Sequence, residues 1–117
     1  MKTIRMMLEY GQYPAWTYGE DGFMIGDDPP PELEAYPDIL ERLDHIADTY
    51  YNLFVDTPKV FEYRGFATAE EANEFSRMAH ETCRMVDDAI GHIYRVVDDI
   101  RVTGSDSDAD MPRRDTT

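Results

Sequence analysis

Two stretches of apolar residues at helical spacing constrain the fold of this chain more than any other feature of its sequence. In the first, Asp38 is a natural N-cap, and apolar side chains then recur every three or four positions as far as about Phe54. In the second, Thr68 and Glu71 have the spacing of a capping box, and an apolar stripe then runs to Gly91. The sequence therefore predicts two amphipathic helices, the first ending at about Phe54 and the second at Gly91.

The segments around these helices have the composition of strands. Ile4, Met6 and Leu8 alternate with Arg5, Met7 and Glu9 at the two-residue period of a strand. Aromatic or β-branched residues are frequent in 15–18, 23–25, 60–66 and 92–100. A run of three prolines after the third segment cannot continue a sheet, because proline has no amide donor. Strands and helices in this order predict an α+β fold, with a small antiparallel or mixed sheet and two helices packed on one face.

The charge of the chain limits its possible partners. Its 117 residues include 25 Asp and Glu against 11 Lys and Arg, a formal charge of −14 that phosphate backbones would repel. Residues 103–117 lack apolar periodicity and carry −2 of that charge, so we expect a disordered acidic tail there and a single α+β domain over residues 1–102. The sequence thus predicts a folded acidic protein that does not bind nucleic acid.

Cysteine content and hydropathy indicate the compartment. The chain has 1 Cys, which excludes an internal disulfide, and no apolar run of the ~18 residues that a membrane helix needs. Its first residues lack the apolar segment of a signal peptide. We therefore expect a cytoplasmic protein that makes no contact with a membrane.

The sequence contains no complete motif for catalysis or metal binding. The start of a zinc motif at His80 and Glu81 is not completed, because Arg84 stands where the second histidine is required. Cys83 lies on the apolar stripe of the second helix, where a cysteine is usually an inert core residue. The sequence predicts a protein that is not an enzyme and that uses no cofactor or metal.

Carboxylates cluster at three places in the sequence, and each cluster is a candidate surface for a cationic partner. The first surrounds the predicted hairpin, the second lies on the polar side of the first helix, and the third spans the end of the second helix and the last strand. Carboxylates in a last helical turn oppose the helix dipole by ~0.3–1 kcal/mol each, which no local interaction offsets. The alternative, favoured for any one helix in isolation, is a solvated face without a partner. The clusters are Glu20, Asp21, Asp27 and Asp28; Glu41, Asp44 and Asp48; and Asp87, Asp88, Asp98 and Asp99.

Aromatic residues give a weaker indication of a binding surface. Tyr10, Tyr13, Trp16 and Tyr18 fall within nine residues, and Tyr and Trp are enriched at interface hot spots. Tyr13 and Trp16 are therefore candidate partner contacts. The alternative is that Trp16 and one or two tyrosines form the packing face of the sheet.

Several of these segments resemble small acidic bacterial immunity proteins, the antidotes encoded beside polymorphic or contact-dependent toxins. The resemblance spans about residues 3–100 and does not include the acidic tail or the proline triplet. It is carried by Glu9-Tyr10-Gly11-Gln12-Tyr13-Pro14-Ala15-Trp16-Thr17-Tyr18, Glu20-Asp21-Gly22, Pro31-Glu32-Leu33, Tyr50-Tyr51-Asn52-Leu53-Phe54 and Phe61-Glu62-Tyr63-Arg64-Gly65-Phe66.

The resemblance implies tight, stoichiometric binding of a cognate toxin domain, usually by covering its active site. Toxin domains that act on nucleic acid need a cationic cleft, so an acidic inhibitor offers complementary charge and fast association. We therefore expect a toxin partner with a basic, nuclease-like surface. A small acidic regulatory or scaffold module without a toxin partner is the alternative, and an enzyme with an unfamiliar carboxylate site is a third.

Overall fold

In a computed structural model of the chain, which describes residues 1–26 and 29–104, a four-stranded sheet, a two-stranded sheet and two helices form the predicted α+β fold. A short 3-10 helix, Pro31–Ala35, follows the proline run. From residue 105 on, the predicted acidic tail lies outside the described residues. In chain order the elements are β1 (Lys2–Met6), β2 (Ala15–Tyr18), β3 (Met24–Gly26), α1 (Pro37–Tyr51), β4 (Phe54–Asp56), β5 (Phe61–Tyr63), α2 (Ala69–Ile90) and β6 (Tyr94–Asp98).

The larger sheet is mixed, with the spatial order β3-β2-β1-β6. β1 pairs antiparallel with β2 and parallel with β6, so that Ile4 lies opposite both Thr17 and Val96. Because side chains alternate between the two faces of a sheet, Ile4 points into the core, whereas Arg5 and Trp16 lie opposite each other on the other face. Trp16 is therefore not part of the face on which the helices pack.

Both helices pack on one face of this sheet, as predicted. Leu43 and Ile46 of α1 and Val86 of α2 are fully buried in one core with Ile4 of β1. Cys83 belongs to the same core, as the apolar stripe of α2 predicts, and burial raises the pKa of its thiol. The core therefore fixes the position of the outer surfaces of α1 and α2.

The first helix begins two residues earlier than the sequence predicts. Its N-cap residue is Tyr36, and Pro37 is its first residue, so the prediction of Asp38 as N-cap is wrong. Proline is favoured at the first helical position because it has no amide to leave unsatisfied and its φ is already helical. Asp38 instead lies exposed in the first turn, where a negative charge is stabilised by the helix dipole.

The first helix also ends earlier than predicted, at Tyr51 rather than near Phe54. The carbonyl of the buried Leu53 accepts hydrogen bonds from the amides of Arg64 and Gly65, at 2.7 and 3.2 Å, and this draws the chain into the β4–β5 hairpin. Phe54 thus begins a strand that the helical spacing concealed. The predicted strands over 60–66 and 92–100 are shorter in the structure, as β5 and β6.

The ends of α2 confirm the predicted signals. The Thr68 hydroxyl accepts a hydrogen bond from the Glu71 amide at 3.1 Å, which is one half of the capping box. The helix ends at Ile90, and Gly91 follows with a φ of −64°, so it is not needed for a left-handed conformation. Glycine is required at position 91 because a larger residue would not fit: a Cβ there would lie 2.3 Å from the carbonyl oxygen of Asp87.

Candidate functional site

The outward side of α1 carries a row of carboxylates. They are exposed, they recur every three or four residues, and they lie opposite the buried Leu43. At about 1.5 Å per residue the row extends for about 15 Å along the helix. None of them forms a salt bridge with another residue in the described ranges. These residues, Asp38, Glu41, Asp44 and Asp48, are called the α1 acidic face.

A groove between the two helices extends the α1 acidic face toward α2. Asp38 of α1 and Asp88 of α2 line the same cavity of about 430 Å³, together with the apolar Met85. A second cavity of about 490 Å³ also contacts Asp38 and Met85 and is lined by Arg42. The guanidinium of Arg42 binds Glu81 at 3.1 Å, so it is already paired with a carboxylate. The structure thus brings Asp88, from the third predicted cluster, beside Asp38 of the α1 acidic face.

Asp98 and Asp99, also predicted as partner contacts, are engaged within the protein. Asp98 is hydrogen-bonded to Nδ1 of His80 at 2.6 Å and accepts the Ile100 amide at 3.1 Å. Burial disfavours its charge, but the hydrogen bonds with His80 and Ile100 outweigh burial and lower the pKa of Asp98. Asp99 forms a salt bridge with Arg5, and its side chain is only 7% exposed. These carboxylates connect β6 to α2 and to β1.

The third predicted cluster therefore divides into separate places. Asp87 and Asp88 are exposed in the last turn of α2, where no basic side chain is present. His80, the partner of Asp98, precedes Asp87 by about two helical turns, or roughly 10 Å. Asp88 thus belongs with the groove beside α1, whereas Asp98 belongs with the packing of α2 on β6.

The carboxylates near the first hairpin form local contacts. Glu20 is exposed and binds the amino group of Met1 at 3.1 Å. Asp21 accepts a hydrogen bond from the Phe23 amide at 3.1 Å and so stabilises the turn between β2 and β3. Asp27 and Asp28 lie outside the described residues. The hairpin carboxylates stay predictions as partner contacts.

Tyr13 and Trp16 lie on different sides of the sheet. The Trp16 indole donates a hydrogen bond to the carbonyl of Tyr13 at 2.9 Å, and its ring is on the face away from the helices. Tyr13 packs against the core, where burial, followed by the nearby charge of Asp44, raises its pKa to about 12. Of the two predicted aromatic contacts, only Tyr13 is thus close to the α1 acidic face.

Sequence reasoning missed a cluster of aromatic rings beyond the end of α1. Tyr10 is at the centre of one side of the cluster, with ring centroids 5.1, 4.6 and 4.9 Å from Tyr51, Phe54 and Phe61. Phe54 joins these rings to the remaining two. The six rings, called the aromatic patch, are Tyr10, Tyr50, Tyr51, Phe54, Phe61 and Tyr63.

The sequence carries a signal for the aromatic patch, but its local patterns favour other structures. The segment from residue 50 to residue 63 is rich in Tyr and Phe, but the helical spacing assigned its first part to the end of a long helix. Proximity in sequence groups Tyr10 with Tyr13, Trp16 and Tyr18, whereas its ring contacts residues more than 40 positions away. Only the β4–β5 hairpin brings these segments together.

The described residues provide little chemistry for catalysis. Cys83 and His80 both neighbour Asp98, but the raised pKa of Cys83 keeps its thiol protonated near neutral pH. No group of three or more His, Cys, Asp or Glu in the described part of the chain is arranged to hold a metal ion. Neither α1 nor α2, the helices of the described part, is long and apolar enough to cross a membrane.

Comparison with known families finds one match that covers the site. The family described as Serratia CdiI immunity protein-like matches residues 2–98, from β1 to the end of β6. A comparison with curated proteins finds no match. The α1 acidic face, the groove with Asp88 and the aromatic patch all lie within the matched residues.

Proposed function

The chain belongs to the Serratia CdiI immunity protein-like family, and we propose that it neutralises a cognate toxin domain by binding it through the α1 acidic face. An immunity role follows from the family. The identity of the partner surface and the mode of neutralisation are the further steps proposed. Neutralisation requires binding alone and no catalysis by this chain, and it takes place in the bacterial cytoplasm.

The observation that carries the choice of surface is the length of the α1 acidic face, a row of four exposed carboxylates without a salt bridge to any described residue. Asp98, Asp99 and Glu81 each bind a basic side chain of the protein itself. The carboxylates of the α1 acidic face have no such partner among the described residues, although like charges at this spacing destabilise a helix by ~0.2–0.5 kcal/mol per pair. A cationic partner relieves that repulsion, and the face is therefore better suited to binding than to stability.

Electrostatics then indicate the kind of toxin. A domain that cleaves or modifies nucleic acid has a cationic cleft for phosphates, and an acidic helix presents complementary charge to such a cleft. Long-range attraction of this type raises the association rate and is screened by salt, because the Debye length falls from ~10 Å at 0.1 M to ~3 Å at 1 M. An immunity protein that occupies the cleft would also cover the active site.

A pair of matched variants tests this proposal. The probe is the purified C-terminal domain of the protein that the reading frame directly upstream of this chain encodes, which is the toxin domain under this proposal. Asp44→Asn with Asp48→Asn removes two charges four residues apart on α1, and Glu70→Gln with Glu74→Gln removes two exposed charges at the same spacing on α2. We expect the α1 variant to associate roughly fivefold to tenfold more slowly at low salt, with a weaker dependence on ionic strength, and the α2 variant to associate like the parent.

Two results would count against the proposal. Equal association rates for both variants would show that the α1 acidic face does not steer the toxin. Failure of the parent protein to bind the upstream domain at all would instead favour the alternative, an acidic regulatory or scaffold module without a toxin partner.

A further inference from the structure

The aromatic patch is larger and more exposed than the packing of a small hairpin requires. Phe54 is central and half-buried, which suits a residue that holds β4 and β5 together. Phe61 and Tyr51, by contrast, are 60% and 53% exposed. Burial of those two rings therefore does not hold the hairpin together, and they present aromatic surface to the solvent.

The charge around these rings indicates what covers them. Asp56 accepts a hydrogen bond from the Tyr10 hydroxyl at 2.9 Å and so lies at the edge of the patch. The charge of Glu9 is close enough to Tyr50 to contribute to its raised pKa, after burial and the effect of Tyr63. A cation placed against the ring faces would gain from the π electrons and from these carboxylates together. Arginine fits best, because its flat guanidinium stacks on aromatic rings and also binds carboxylates.

The aromatic patch is continuous with the α1 acidic face. Asp48, the last carboxylate of that face, precedes Tyr51 by three residues, so the two are neighbours on one helix. A protein that docks on the α1 acidic face can therefore contact the exposed rings as part of the same interface. Interface hot spots are typically aromatic side chains of this kind, bordered by polar groups that exclude water.

We propose that the aromatic patch anchors the toxin domain by receiving an arginine of that domain against Phe61 and Tyr51. This proposal rests on the proposed toxin binding and assigns association and dissociation of the complex to two different surfaces. The α1 acidic face sets how fast the complex forms, whereas the aromatic patch sets how long it lasts.

Dissociation rates of matched variants test the proposal, with the upstream toxin domain as the probe. Phe61→Ala removes an exposed ring of the patch, and Phe23→Ala removes a 75% exposed ring at the β2–β3 turn. We expect Phe61→Ala to dissociate about 30-fold faster with an unchanged salt dependence of association, and Phe23→Ala to behave like the parent. Tyr51→Ala provides a second variant if thermal melting shows that Phe61→Ala disturbs the hairpin.

A leucine variant separates arginine docking from simple apolar contact. Phe61→Leu keeps an apolar side chain but has no π face, so we expect dissociation roughly threefold to tenfold faster than that of the parent. Parental kinetics for the leucine variant would overturn arginine docking. Parental kinetics for both Phe61→Ala and Tyr51→Ala would overturn the anchoring role, while slower association of the α1 variant would leave the proposed function intact. A parent protein that does not bind the toxin domain would overturn both.

Discussion

Replacement of Asp98 by Asn should destabilise the fold, because the structure uses this carboxylate to hold α2 against β6. Asp98→Asn keeps an oxygen that can accept a hydrogen bond but removes the charge that His80 and the Ile100 amide stabilise. Hydrogen bonds to an ionised group are roughly twice as strong as neutral ones. The Asp98 side chain is 35% exposed, so solvent screens part of this effect. We therefore expect a loss of about 1 kcal/mol in the free energy of unfolding.

Thermal unfolding at neutral pH measures this loss, as a decrease of roughly 4–8 °C in Tm for a domain of this size. Asp87→Asn is the matched control, since Asp87 is exposed in the last turn of α2 and opposes the helix dipole. We expect the control to keep the parental Tm or to raise it slightly. A control that is destabilised as much as Asp98→Asn would refute the specific role of Asp98.

The stability difference between the parent and Asp98→Asn should depend on pH. The hydrogen bonds of Asp98 hold its pKa below that of an unfolded aspartate, so its contribution is present above the unfolded value of ~3.9 and is lost as pH falls through the lower folded value. The Tm difference between the parent and Asp98→Asn should therefore shrink as pH falls below about 4. A difference that stays constant to lower pH would show that the charge is not its cause.

Three further predictions concern α2. Thr68→Ala removes the hydroxyl that caps the Glu71 amide and should lower the free energy of unfolding by about 1 kcal/mol in a urea titration. Replacing glycine by alanine commonly stabilises a protein by ~0.4–1 kcal/mol where the backbone conformation allows it. In Gly91→Ala, however, the new Cβ would lie 2.3 Å from the Asp87 carbonyl oxygen, so we expect a lower Tm. A higher Tm would contradict that contact. Cys83 is buried with a raised pKa, so a thiol reagent at pH 8 should modify it only after denaturant is added.

Local signals predicted most of the fold. Thr68 and Glu71 identified the start of α2, and the spacing of apolar residues in both helices identified the side that packs on the sheet. The resemblance to immunity proteins is confirmed by the family match over residues 2–98. Each of these features depends on neighbours within a few residues or on a pattern along the chain.

The features that the sequence did not predict depend on distant contacts. Phe54 fits a helical spacing, and only the hydrogen bonds of the Leu53 carbonyl with residues 64 and 65 show that the chain turns there into β4. Asp98 and Asp88 looked alike as members of one cluster, yet one binds His80 and the other faces a groove beside α1. The sequence predicts Asp38 as a cap, whereas Pro37 begins the helix and the Asp38 carboxylate lies on the α1 acidic face.

The binding surface can be mapped most directly by backbone amide chemical shifts of this chain, recorded with and without the upstream toxin domain. We expect the largest changes on the outward side of α1, at Asp38, Asp44 and Asp48, and at Tyr51 and Phe61 beyond it. The strands β1, β2 and β6 should change less, because their exposed side is opposite the helices. Changes concentrated on that open side of the sheet, with α1 unaffected, would contradict the central claim.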